Sequence, residues 1–404
     1  MRIERQQNHN HTPKFNGFTE LVMGKVFFNK ALFDLTSSDI PWVVMANNKE
    51  ERRERINRSV LSVGMVFVSP LIALPFINRF ALKNVTKLTS KFWSKEYNVI
   101  KLSNEYLTNP EKTKKGLEQL SKKLNIDFKP VLDRVGGDYD KLRKKLATAK
   151  NIVLGSDIML IAGSFGHIGF FNAWQTEKKT GQTGFSAELK MADKEVIEKR
   201  AADFKKREKL RYGAFLGVLA GSAVGLPMAI KHGLTTSKVN KFTTLIKKHG
   251  SKFDYNDAIY MELLPMAISF VAAHFGVFMA SRNNTERKDN LIRSSASLSI
   301  FFLGDILLSS ILGRISDKSR LKTNLIKRDG EKTFLNKYLP PIKKLEELIE
   351  MKHPPKDIKM AKGIFWLNFA VLSGLMGIVT PYFINKIIKE DVAEDANKKS
   401  DKIK

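Results

Sequence analysis

Six stretches of this chain carry almost no charge over about twenty residues each: 59–82, 151–174, 212–230, 258–280, 291–313 and 363–385. The segments between them are dense in lysine, arginine and glutamate. At about 1.5 Å of rise per helical residue, each stretch comes close to the roughly 30 Å of a bilayer's hydrocarbon layer. The pattern predicts an all-α, polytopic membrane protein with about six transmembrane helices. Pro70 and Pro75 inside the first stretch fit that reading, because membrane helices tolerate proline where neighbours satisfy the freed carbonyls.

The stretch from Arg211 to Lys231 carries the plainest packing signal. Gly213, Gly217, Gly221 and Gly225 recur every four residues and form one ridge along a helix. Glycines so dense weaken a helix in water, whereas in lipid they let a neighbouring backbone approach closely. The ridge is therefore expected to be a helix-packing face. Gly163, Gly166 and Gly169, three residues apart with no strand before them, likewise read as packing.

Outside the spans, residues 1–58 read as a polar and interfacial segment, and 83–150 and 314–362 as basic loops of amphipathic helices lying on one membrane face. Leu117, Leu120 and Leu124 set the helical spacing in the first of these loops. Residues 175–211 form a charged helical connector, 231–257 a basic link, 281–290 a short loop and 386–404 a charged tail.

A repeat underlies the spans. ERRERINRSVLSVGMVF at 51–67 aligns without a gap on ERKDNLIRSSASLSIFF at 286–302, with six of the seventeen pairs identical. MANN at 45–48 resembles MASRNN at 279–284, and His167-Ile-Gly-Phe-Phe echoes His274-Phe-Gly-Val-Phe. These matches predict a two-helix unit used about three times, its first copy degenerate. Repeats of this kind are common in transporters, where the site lies between them.

Charge narrows the partners. With 69 Lys and Arg against 41 Asp and Glu, the net charge is +28. Such an excess suits either nucleic acid or anionic lipid head groups, and six candidate spans favour the second. The bilayer is the expected partner, with Lys112, Lys114, Lys115, Lys122 and Lys123 on the head groups, and nucleic acid is not expected. A homo-oligomer or a protein partner also suits the basic loops. The expected location is the plasma (inner) membrane. The opening MRIERQQNHNHTPKF holds no apolar run of signal-peptide length, so insertion is expected to rely on the first span. With no cysteine, the chain has no disulfides, thiolate metal sites or cysteine nucleophiles.

The candidate chemistry is intramembrane. Asp157, His167, Glu262, His274 and Asp305 lie at or within predicted spans, where ionisable groups are costly and by default functional. On one reading they form a polar track, with the two histidines as proton acceptors or ligands and the carboxylates as partners. On the other, the acids reach water at span ends and the histidines hydrogen-bond across helices. HGSKFD at 249–254 resembles the His-x-Ser-x-x-Asp pattern of glycerolipid acyltransferases over six residues, without their downstream Glu-Gly-Thr-Arg-type motif. No phosphate-binding glycine loop, His-Glu-x-x-His or nucleophile elbow occurs, so no catalytic residue, metal or cofactor is assigned. The expectation is a transporter-like protein with a polar intramembrane site between repeats. The alternative is a non-catalytic membrane scaffold that binds anionic lipids or a protein partner through its basic loops.

Overall fold

The structure, a computed structural model, describes residues 17–24, 26–189, 191, 193–254, 262–319, 322–327, 338–343 and 345–401. It is 82% helix, with no strand among the described residues. The helices that matter here are α1 Phe18–Gly24, α2 Val26–Asp34, α3 Ile40–Val44, α4 Lys49–Val85, α5 Pro110–Leu124, α6 Tyr139–Thr180, α7 Lys194–Thr235, α8 Lys241–His249, α9 Leu263–Met279, α10 Asn284–Lys318 and α11 Pro355–Glu394. Five of them, α4, α6, α7, α10 and α11, are long and apolar enough to cross a membrane.

Local chemistry explains where these helices begin. Asn48 and Asn283 hold extended backbone and accept a hydrogen bond from the amides of Glu51 and Glu286, each at 2.8 Å. A side-chain acceptor of this kind satisfies one of the first-turn donors that a helix leaves unpaired. Asn109 does the same for α5 and Asp138 for α6. Near its middle each of the five long helices carries a π-helical turn: Ser62–Val68, Met159–Gly163, Gly221–Gly225, Ile300–Gly304 and Leu375–Val379. The wider turn rotates the residues beyond it, so one 3.6-residue period does not run through a whole span.

The fourth predicted span, 258–280, differs from the rest. Its residues 258–261 lie outside the described residues, and α9 is a 17-residue helix, about 25 Å long and short of the hydrocarbon thickness. The segment expected at the interface also lies elsewhere. Phe33, Ser37, Asp39 and Trp42 are buried, so the stretch from α2 to α3 packs into the bundle.

The glycine ridge of α7 packs against no other part of the described chain. Gly213, Gly217, Gly221 and Gly225 are all exposed, and a Cβ added to any of them would meet nothing within 4 Å. The helix packs instead through Phe215, Leu219 and Ala223, which share the four-residue spacing but lie two residues on. Two residues are about 200° of helical rotation, so the bulky row takes the interior and the glycines face outward. Close approach occurs at glycines of α6 and α9. A Cβ on Gly276 of α9 would lie 2.6 Å from the Gly166 Cα of α6, and one on Gly169 would lie 2.5 Å from the Ala280 Cβ. Gly155 of α6 sits as closely against the Ala223 carbonyl of α7.

The first basic loop folds on a core of its own. Leu88, Ile100, Leu107, Phe128 and Leu146 are fully or almost fully buried together, so this region is a small helical cap and not a set of separate helices lying flat. Lys150 fastens the cap to the bundle by pairing with Asp254 at 3.1 Å and donating to the Leu102 carbonyl at 2.7 Å. The Asp254 carboxylate also accepts from the Asn104 amide at 2.7 Å and from the Ser103 hydroxyl. Its oxygens are therefore engaged by the cap, and the acyltransferase-like pattern at His249 has no free aspartate to orient a base.

Candidate functional site

The charge-dense starts of α4 and α10 look in sequence like water-facing boundaries, and the structure buries them against one another. Arg282, only 2% exposed, lies just before α10. Its Nη1 and Nη2 each donate to Glu54 at 2.9 Å, while Nε and Nη2 reach Glu286 at 2.9 and 2.8 Å. Burial works against the charge of Arg282, and the Glu286 and Glu54 carboxylates overcome burial and raise its pKa. Glu54 also accepts from Ser186 at 2.7 Å and from Thr176. Beside this group Arg55 pairs with Glu51, and Arg293 pairs with Asp289 at 2.7 Å while lying 3.9 Å over the Trp42 ring.

Above this ionic layer a cavity opens between α2, α3, α4, α9 and α10, with Ile161 and Phe165 of α6 and Met376 of α11 completing its wall. The space between its lining atoms totals about 720 Å³ with the mouth included, and only a small part of it admits a water-sized sphere. Three of the identical pairs in the sequence repeat line it with both members: Arg58 and Arg293, Ser59 and Ser294, Ser62 and Ser297. The same offset of 235 residues relates Asp39 to His274, Arg55 to Asn290 and Trp42 to Val277, all of which line it too. Even the contacts correspond, since Ser59 hydrogen-bonds Asp39 and Ser294 lies 3.0 Å from the His274 Nδ1.

Two groups in the cavity stand out by what they do not bond. The Arg58 guanidinium makes no hydrogen bond or ion pair among the described residues, although Asp39 interacts with it through space. Oδ2 of Asp39, a residue only 7% exposed, also lacks a hydrogen-bond partner there. A partly buried cation and a buried acceptor left open are costly unless something else satisfies them. Asp34 is more settled, accepting from Ser62 at 2.6 Å.

The five residues singled out from the sequence do not come together. His274 alone lines this cavity. His167 faces α7, where its Nε2 lies 2.8 Å from the Tyr212 hydroxyl and its Nδ1 lies against the Gly163 carbonyl. Asp305 lines a smaller space near Lys30 and is held by Asn368 and, at 3.2 Å, by Ser309. Asp157 is fully buried in α6, and Glu262 is exposed just before α9. No group of three or more metal-ligating side chains forms among the described residues. Asp34, Asp39, Arg55, Arg58 and Arg293 escape a hydropathy reading because they look like flanks. The signal that marks two of them is the repeat, whose identical Arg and Ser pairs fall on the cavity wall.

Compared with known protein families, with curated proteins and with solved structures, the chain matches none.

Proposed function

We propose that this chain is a transporter-like, multi-pass membrane protein that holds a small zwitterionic solute in the cavity between two copies of a helix-turn-helix unit. The first copy runs from α2 through α4 and the second comprises α9 and α10. The observation that carries this reading is the pair of open groups, the Arg58 guanidinium and the Asp39 carboxylate oxygen, in a cavity lined by matched positions of the two copies. A solute with an anionic group at Arg58 and a cationic group at Asp39 answers both charges, and the serines supply hydrogen bonds to its body. Sites between repeated units suit alternating access, because rocking one unit against the other opens the cavity to either side.

The test is uptake by proteoliposomes of a labelled panel of neutral amino acids, simple carboxylates and simple amines. Uptake of at least one zwitterion is expected, falling tenfold or more in Arg58→Gln and in Asp39→Asn and unchanged in His167→Ala. Folded Arg58→Gln protein that transports at the wild-type rate would overturn the proposal, as would equal uptake of simple anions.

A second reading, a scaffold that holds anionic lipid, is favoured by α5. Lys112, Lys114, Lys115, Lys122 and Lys123 are all exposed there, while Thr113, Gly116 and Leu117 face the core. Neutralising the five lysines is expected to weaken co-sedimentation with phosphatidylglycerol vesicles several-fold and to leave solute uptake intact. The scaffold reading replaces the transporter if wild-type protein takes up nothing from the panel while vesicle binding follows these lysines.

A further inference from the structure

At the end of the bundle beyond the ionic layer, α7, α10 and α11 enclose an open cleft with about 1170 Å³ of space, mouth included. Its walls carry more arginine and lysine than acid, and several of these charges are already paired. Asp391 accepts from Lys288 at 3.0 and 3.1 Å and from Thr285 at 3.0 Å. Arg200 is bound to Glu188, and Arg282 to Glu54 and Glu286. Lys199, Arg207, Arg211 and Arg287 remain, none of them in an ion pair among the described residues, and the three arginines are the group that gathers around Arg211.

These three guanidinium groups are held together despite their mutual repulsion. Arg211 donates to the Ser281 carbonyl at 2.8 Å and lies 5.6 Å over the Phe204 ring, and Arg287 lies 5.8 Å over Phe278. The carbonyl and rings anchor one side of Arg211 and Arg287 and leave their remaining N–H donors for the cleft, while Arg207 reaches it from the exposed face of α7. Burial lowers the pKa of Arg211, and the neighbouring charges of Arg287 and Arg207 lower it further. Asp203 opposes this only through space. The cleft also lies at the right level for a lipid phosphate. Arg211 is the last charged residue before the uncharged 212–230 stretch, and Arg287 lies about two turns before the uncharged run 294–304 of α10.

We infer that Arg207, Arg211 and Arg287 form a binding site for a phosphate-bearing anion, either the head group of an acidic phospholipid or a soluble di- or polyphosphate. A phosphate offers several oxygens to the planar, bidentate donors of arginine, which is why three converging guanidinium groups select it over a single carboxylate. This site is separate from the solute cavity and does not depend on the reading given to that cavity.

Two probes separate the sources: inorganic pyrophosphate, and a short-chain phosphatidic acid below its micellar concentration, each titrated against purified protein in neutral detergent. At least one is expected to bind and raise the unfolding temperature, with affinity falling tenfold or more in Arg207→Gln/Arg211→Gln/Arg287→Gln. Arg287→Gln alone, which leaves the Ser281 contact of Arg211 in place, is expected to lose several-fold and serves if the triple variant misfolds. Binding by both probes in competition identifies the phosphate group itself as the ligand, and binding by the phosphatidic acid alone identifies a bilayer lipid. Arg58→Gln should bind both probes as the wild type does, so failure here is distinguishable from failure of the solute reading. Absence of binding by either probe, or equal binding by the folded arginine variants, overturns the inference.

Discussion

Arg282→Met is expected to destabilise the protein by about 3–5 kcal/mol, the usual consequence of removing one partner from a buried ion pair. The size follows from what is left behind. Glu54 and Glu286 are both buried, and each gives both carboxylate oxygens to Arg282. Without the guanidinium, two like charges face each other, and the Thr176 and Ser186 hydroxyls that remain on Glu54 carry no charge to offset them. The penalty belongs to the stranded acids more than to the lost bonds. Arg282→Met combined with Glu54→Gln and Glu286→Gln should therefore recover most of the stability, even though more ionic contacts are gone. Unfolding titrations in mixed micelles measure both. A single variant within about 1 kcal/mol of wild type, or a triple variant no better than the single, would mean that the buried layer is not the brace described.

The second large effect falls on the crossing of α6 and α9. Gly276→Leu is expected to cost about 3 kcal/mol, toward the upper end for overpacking, because backbone atoms meet the new side chain. Its Cβ would lie 2.6 Å from the Gly166 Cα and 2.8 Å from the Gly166 oxygen. A backbone cannot rotate aside as a side chain can, so the two helices must separate. Separation would also open the wall of the cavity where Ala273, His274 and Val277 line it. Gly217→Leu is the matched control, since that glycine has open space around it, and its effect should stay within about 0.5 kcal/mol. If the two variants unfold alike in the same titration, the assignment of packing faces is wrong.

These contrasts show how far one dimension of sequence reaches. The match between 51–67 and 286–302 was legible as a string, but only the structure places its identical Arg and Ser positions on the cavity wall. The close packing of Gly166 and Gly169 was legible too. The α7 ridge misled because spacing names a face but not its neighbour. Phe215, Leu219 and Ala223 carry the same spacing on the other side of that helix, and the larger apolar area takes the interior. Among the intramembrane ionisable residues, only His274 reaches the cavity, since helix position gives depth along the span and not direction around it.

Length and hydropathy determine, from the sequence alone, that the chain is helical and which of its helices are apolar enough to cross a membrane. These are properties of contiguous residues, and neighbouring side chains suffice to specify them. Tertiary structure alone decides whether a charged helix start meets water or a counter-charge. For Glu54 the answer is Arg282, 228 residues away, and no local pattern encodes a partner at that distance. The buried ionic layer, the cavity above it and the arginine cleft all follow from that pairing of distant segments, because the energy of a charge depends on what surrounds it in space.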